Sequence, residues 1–133
     1  MFHTTFQPRF SECDGLGHIN NSVPPVWFEE ARTELFKLFN PSLEMKTWNL
    51  ILKRYDIDFR AQIWRDYPIE VETEIVKIGN TSLTVEQRAI QQGTVAVVGH
   101  TTMVHFDYKA GRPEPIPEAI KEKLAAHVAK ADA

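Results

Sequence analysis

The order of apolar patterns in the sequence predicts an α+β fold: an antiparallel β-sheet of about five strands wrapped around one central α-helix, with a second helix at the C-terminal end. Three observations carry this. An early stretch repeats its apolar residues at helical spacing. Later stretches alternate with a period of two, and Gly-containing dipeptides punctuate them as hairpin turns do. A helix with so broad an apolar face must bury it against a sheet.

The first element is a strand over residues 2–10, whose end Pro8 places at an edge or bend. A Gly-rich turn follows. Between 22 and 39 the period becomes helical, with Trp27, Ala31, Leu35 and Leu38 on one face and Glu29, Glu30, Arg32, Glu34 and Lys37 on the other. Phe28, Phe36 and Phe39 widen the apolar face. Pro25 suits the first turn, Asn21 or Ser22 is a candidate cap, and Asn40-Pro41 stops the helix. Strands are then expected over 47–59, 68–78, 82–91 and 95–108. The clearest alternation sets Ile69, Val71, Thr73 and Ile75 against Glu70, Glu72 and Glu74. Gly79-Asn80 and Gln92-Gly93 mark tight turns, because Gly accepts a positive φ. A peripheral helix over 117–129 carries Ile120, Leu124 and Val128 at helical spacing.

Composition narrows the function. The 133 residues fit one domain, 1–133, with 43% hydrophobic and 25% charged residues. A net charge of −3 lacks the basic excess that nucleic-acid binding needs. The single cysteine, Cys13, forms no internal disulfide or thiolate cluster, and no stretch reaches the about 18 apolar residues of a membrane span. The start shows no secretion signal, so a cytoplasmic location is expected. His3, His100, His105 and His127 lack metal-site spacing, and no metal or cofactor is expected.

One segment departs from ordinary strand and helix patterns: Arg9-Phe10-Ser11-Glu12-Cys13-Asp14-Gly15-Leu16-Gly17-His18-Ile19-Asn20-Asn21. It puts a carboxylate beside two glycines, just before a helix start whose free N–H groups favour negative charge. Acyl transfer needs that pairing of a base or nucleophile with an oxyanion site. The same residues also read as a plain Asp-Gly turn with helix-capping side chains.

The segment, with Phe28-Glu29-Glu30-Ala31-Arg32, resembles the signature of the hotdog-fold acyl-CoA thioesterases, the 4-hydroxybenzoyl-CoA thioesterase-like family. Tyr55-Asp56-Ile57-Asp58-Phe59 and Arg112-Pro113-Glu114-Pro115-Ile116-Pro117 extend the resemblance over nearly the whole chain. It implies a hotdog fold that pairs edge to edge as a homodimer or stacks as a homotetramer, with acyl-CoA as substrate. On the matching positions Asp14 is the catalytic base or nucleophile. His18 orients the thioester or holds the loop, Asn20 fixes the loop, and Asn21 offers a helix-start N–H to the thioester oxygen. Glu12 stands where the family more often has Asp. Pro24-Pro25 replaces a commonly aromatic stretch, which bears on the acyl group accepted. Arg60, Arg88 and Arg112 are candidates for the CoA phosphates, since that handle needs cations. An acyl-ACP thioesterase or a non-catalytic acyl-CoA-binding hotdog protein are the alternatives. The Gly-Asp-x-Asn-Pro pattern of hotdog hydratases does not occur.

Overall fold

The computed structural model describes residues 1–128. The strands are β1 (Phe2–Phe6), β2 (Leu50–Phe59), β3 (Ile69–Ile78), β4 (Ser82–Gln91), β5 (Thr94–Asp107) and a two-residue β6 (Arg112–Pro113). The helices are α1 (Pro24–Ala31), α2 (Thr33–Phe39) and α3 (Glu118–Ala125). Every pairing is antiparallel, in the spatial order β1-β3-β4-β5-β2, with β6 on β5. The curled sheet packs one face on α1 and α2, which is the hotdog arrangement.

The alternation of β3 is realised: Ile69, Val71, Thr73 and Ile75 are buried, and Glu70, Glu72 and Glu74 lie on the outer face. At the β4–β5 hairpin Gln92 (φ 52°) and Gly93 (φ 76°) both adopt left-handed conformations, as a two-residue turn matched to strand twist requires. The Gly79 turn is closed differently, by Gly79 N–H donating to Ser82 O at 2.7 Å and without a positive φ. Gly99 on β5 has another use. A Cβ there would lie 2.9 Å from the ring of Phe28, so its bare backbone sets how closely α1 approaches the sheet.

Four boundaries differ from expectation, each for a local reason. The first strand ends at Phe6, because the chain turns through a 3₁₀ turn at Phe10–Glu12 that brings Glu12 under Arg9. The second begins at Leu50, since Met45–Thr47 form another 3₁₀ turn, in which Thr47 Oγ1 donates to Asn40 Oδ1 at 3.0 Å. The last helix stops at Ala125, and residue 129 of the expected span lies outside the described residues. Val128 is not on that helix: it bridges Ile75, while His127 O accepts the Ile75 N–H at 3.2 Å, a donor beyond the reach of β1.

The fourth difference is in the central helix. The expected continuous helix over 22–39 breaks at Arg32 (ψ 0°), whose N–H turns to Glu29 O instead of Phe28 O. The released Phe28 carbonyl accepts from Gln87 Nε2 at 2.9 Å, and the same amide donates to Thr73 Oγ1 at 3.0 Å. Gln87 Oε1 accepts from Arg32 Nη1 at 3.1 Å. An unanswered buried carbonyl costs about 1–3 kcal/mol, so Gln87 stabilises the bend. Arg32, expected on the polar face, is therefore buried. Arg32, Thr73 and Gln87 separate two apolar clusters, one of Trp27, Phe28, Val71 and Val97 around α1, the other of Leu35, Phe39, Val85 and Leu124 around α2 and α3.

Candidate active site

The loop from 13 to 19 is a small hairpin. Cys13 bridges Ile19, Asp14 N–H donates to His18 O at 2.7 Å, and Gly17 (φ 81°) turns the chain where a Cβ would be strained. Asp14 Oδ1 accepts from the N–H groups of Leu16 (2.8 Å) and His18 (3.3 Å). Its other oxygen makes no hydrogen bond among the described residues. One oxygen of the carboxylate thus forms the turn, and the other stays free in an exposed position.

The hairpin is docked on residues 63–64. Ile19 N–H donates to Ile63 O at 2.8 Å, and the His18 ring stands edge-on to Trp64 with centroids 4.3 Å apart. Beneath it Glu12 is buried, accepting from Arg9 N–H at 2.7 Å and from Trp27 Nε1 at 3.1 Å. Glu12 is therefore the tie between the loop and α1, a role the sequence did not assign to it. The signal was there only as an acid next to the motif, since the Trp27 indole reaches it from 15 residues away. Cys13 is half-buried, its Sγ 3.7 Å from Arg9 O.

The helix start differs from expectation. Neither Asn21 nor Ser22 caps it; Val23 is the N-cap residue, with no side-chain hydrogen bond. Asn20 Oδ1 accepts the Ser22 N–H at 2.9 Å, and Asn20 O accepts the Val23 N–H at 3.0 Å. Pro24 and Pro25 have no N–H, and those of Val26 and Trp27 go to Val23 O. Among the described residues, the Asn21 N–H is thus the one main-chain donor between Asn20 and Trp27 that is left unspent. Two donors are missing at the prolines, and the others are spent within the turn.

Asn21 lines a cavity of about 490 Å³ with Pro24, Phe59, Arg60, Gln62 and Val97. The structure therefore brings Asn21 and Arg60 to one cavity, while Asp14 and His18 stand on the hairpin outside its lining. Arg88 lies on the outer sheet face, bonded to Glu72 (3.0 Å), Glu74 and Glu86. Burial alone would lower its pKa, but Glu74 and Glu72 raise it above the ordinary value, so its charge is held by carboxylates of the same face. Arg112 is exposed on β6, opposite Asp107. His3, Glu70 and Glu72 have ligand atoms within 4.8 Å of one another, yet His3 is hydrogen-bonded to Glu70 and Glu72 to Arg88. Of the other histidines, His100 lies between Asp56 and Glu86 one strand in from the β2 edge, and His105 is buried beside Phe39.

Residues 8–124 match the family model of the thioesterase-like superfamily. A predicted thioesterase from Bacillus stearothermophilus is 45% identical, with a TM-score of 0.95 over 98% of both chains. A thioesterase from Thermus thermophilus, solved in complex with coenzyme A and Zn, is 29% identical, with a TM-score of 0.83 over 92% of this chain and 96% of that one. The acyl-CoA thioester hydrolase YbgC of Escherichia coli O157:H7 is 21% identical over 90% of this chain and 92% of its own. Among the described residues no helix is long and apolar enough to cross a membrane.

Proposed function

The chain belongs to the thioesterase-like superfamily, and from that premise we propose that it is an acyl-CoA thioesterase that hydrolyses an acyl-coenzyme A to the free acid and CoA in the cytoplasm. The observation that carries this reading is the N–H of Asn21, unspent among the described residues and belonging to a residue that lines a cavity, a donor of the kind that stabilises a thioester oxygen as it gains charge. Asp14 supplies the base or the nucleophile from its free oxygen. As base, it takes a proton from water as the water oxygen bonds to the thioester carbon; the carbonyl π electrons move to oxygen, which Asn21 N–H stabilises. Collapse of that intermediate breaks the C–S bond, and the proton passes to the departing thiolate. Asn20 and His18 hold the hairpin at the helix start, and Arg60 on the cavity wall is the cation best placed for the CoA phosphates.

The whole chain acts as one hotdog domain and pairs through the exposed edge of β2, as a homodimer or a homotetramer of such dimers. That edge carries Ile51, Leu52, Tyr55 and Phe59 to solvent in the single chain. The thioesterase of Thermus thermophilus bound to coenzyme A supports CoA as the carrier.

The test is Asp14→Asn. The amide keeps the oxygen that accepts from Leu16 and His18, so melting temperature and substrate affinity are expected to stay near those of the parent. It is neither base nor nucleophile, and turnover should fall at least about 100-fold, which is about 3 kcal/mol of barrier. A folded Asp14→Asn protein with turnover within a few fold of the parent would refute the role of Asp14.

A further inference from the structure

Two further cavities extend between the helices and the inner face of β2. One, of about 140 Å³, has Pro25, Arg32, Tyr55 and Thr101 in its walls; the next, of about 300 Å³, has Arg32, Trp48 and Leu52. Arg32, Glu29 and Leu52 are common to both. Arg32 is 8% exposed, and its Nε is buried with no hydrogen-bond partner, while Nη1 donates to the neutral amide of Gln87. Among the described residues no carboxylate comes within ion-pair distance of it; Glu29, one turn back, acts on it only at longer range. Burial accordingly lowers its pKa from the ordinary arginine value. A buried cation whose one hydrogen bond goes to a neutral amide is costly even with the Phe36 ring 5.9 Å from its centre and Glu29 at longer range, and an occupant that brings an acceptor oxygen removes part of that cost.

We propose that Arg32 is a specificity-determining residue that selects acyl groups carrying an acceptor oxygen, a carboxylate or a hydroxyl, at their far end. This rests on the acyl-CoA reading above. Helical rise places Arg32 about 12 Å beyond Pro24, which borders the Asn21 cavity, so the thioester of a medium-length chain lies at one end of the groove and its tail at Arg32. The groove walls between are mostly apolar, as Val26, Phe28, Leu52 and Ile57 show, and suit the methylenes of such a chain.

The experiment compares octanoyl-CoA, 8-hydroxyoctanoyl-CoA and suberoyl-CoA as substrates of the intact protein. The hydroxyl and carboxylate arms show which oxygen is read. At least one oxygenated ester is expected to exceed octanoyl-CoA tenfold in kcat/KM, with that ratio falling to within threefold in Arg32→Met and returning in part in Arg32→Lys. A parent protein that hydrolyses octanoyl-CoA as well as both oxygenated esters overturns the inference, whether or not the variants fold. Absence of turnover with all three esters would instead overturn the hydrolase reading. Calorimetric competition among the same esters then decides on Arg32 by the same tenfold criterion.

Discussion

The two edges of the sheet are built differently. β1 is five residues long, paired from Phe2 to Phe6, and followed by Pro8; beyond its end the Ile75 N–H is taken by His127 O, so the tail after α3 covers what β1 leaves open. β2 is ten residues long, and nothing among the described residues pairs its outer side. It also presents large apolar side chains. A short, proline-terminated edge resists further pairing, whereas a long apolar one invites it. The lesson is that the side of the molecule bearing the groove, Arg60 and Arg32 is the unfinished side, and a second copy on β2 would roof it.

The largest effect is expected from charging that edge. Leu52→Lys with Tyr55→Lys should weaken self-association by about 100-fold or more, a cost of about 3 kcal/mol for taking the charges out of water, read by sedimentation across a concentration series. Thr5→Lys on β1 should leave the mass unchanged. A parent chain that is monomeric at micromolar concentration, or equal effects at both edges, would erase the distinction.

A middle-sized effect should follow where α1 meets the strand next to β2. Gly99→Ala puts a methyl group 2.9 Å from the Phe28 ring and should cost about 1–3 kcal/mol, seen as a lower urea midpoint with an unchanged slope. An unshifted midpoint would mean that α1 has room to move away from β5.

The smallest effect belongs to the β1 side. His127 stacks on Phe2 with centroids 4.2 Å apart, and burial, with the N-terminal ammonium, lowers its pKa below the ordinary 6.5. The fold therefore prefers the neutral ring. Its contribution is fully present above the unfolded pKa and is lost as the pH falls from there through the lower folded value. Exchange protection of the Ile75 amide should drop over that window and not change above it; protection that is flat with pH would detach the tail from the titration of His127.

The sheet was legible because its evidence is local: β3 alternates residue by residue, and Gln92-Gly93 carries its turn in its own φ angles. The Asp14 hairpin was legible for the same reason, with a carboxylate, two glycines and their backbone partners within five residues. What the sequence hid depends on distant partners. Nothing between Ala31 and Thr33 announces a break, because the acceptor that the bend exposes is answered from β4. Glu12 is peripheral in the sequence until Trp27 reaches it, and Arg88 is available there until two paired strands place Glu72, Glu74 and Glu86 around it. The consumption of the helix-start donors is visible in Pro24-Pro25, where the sequence alone suggests only a change of pocket shape.

The bend at Arg32 also has a history in time. Gln87 lies 59 residues from Phe28 and 55 from Arg32, so closing those contacts means closing long loops, whereas the helical hydrogen bonds on either side of the bend form within a turn. Locally the bend has Thr33 Oγ1 donating to Glu30 O at 2.6 Å, while the contacts that answer its freed carbonyl wait for β4. Loop-closure cost therefore leads to the expectation that the wall separating the chain's two apolar clusters takes shape late in folding.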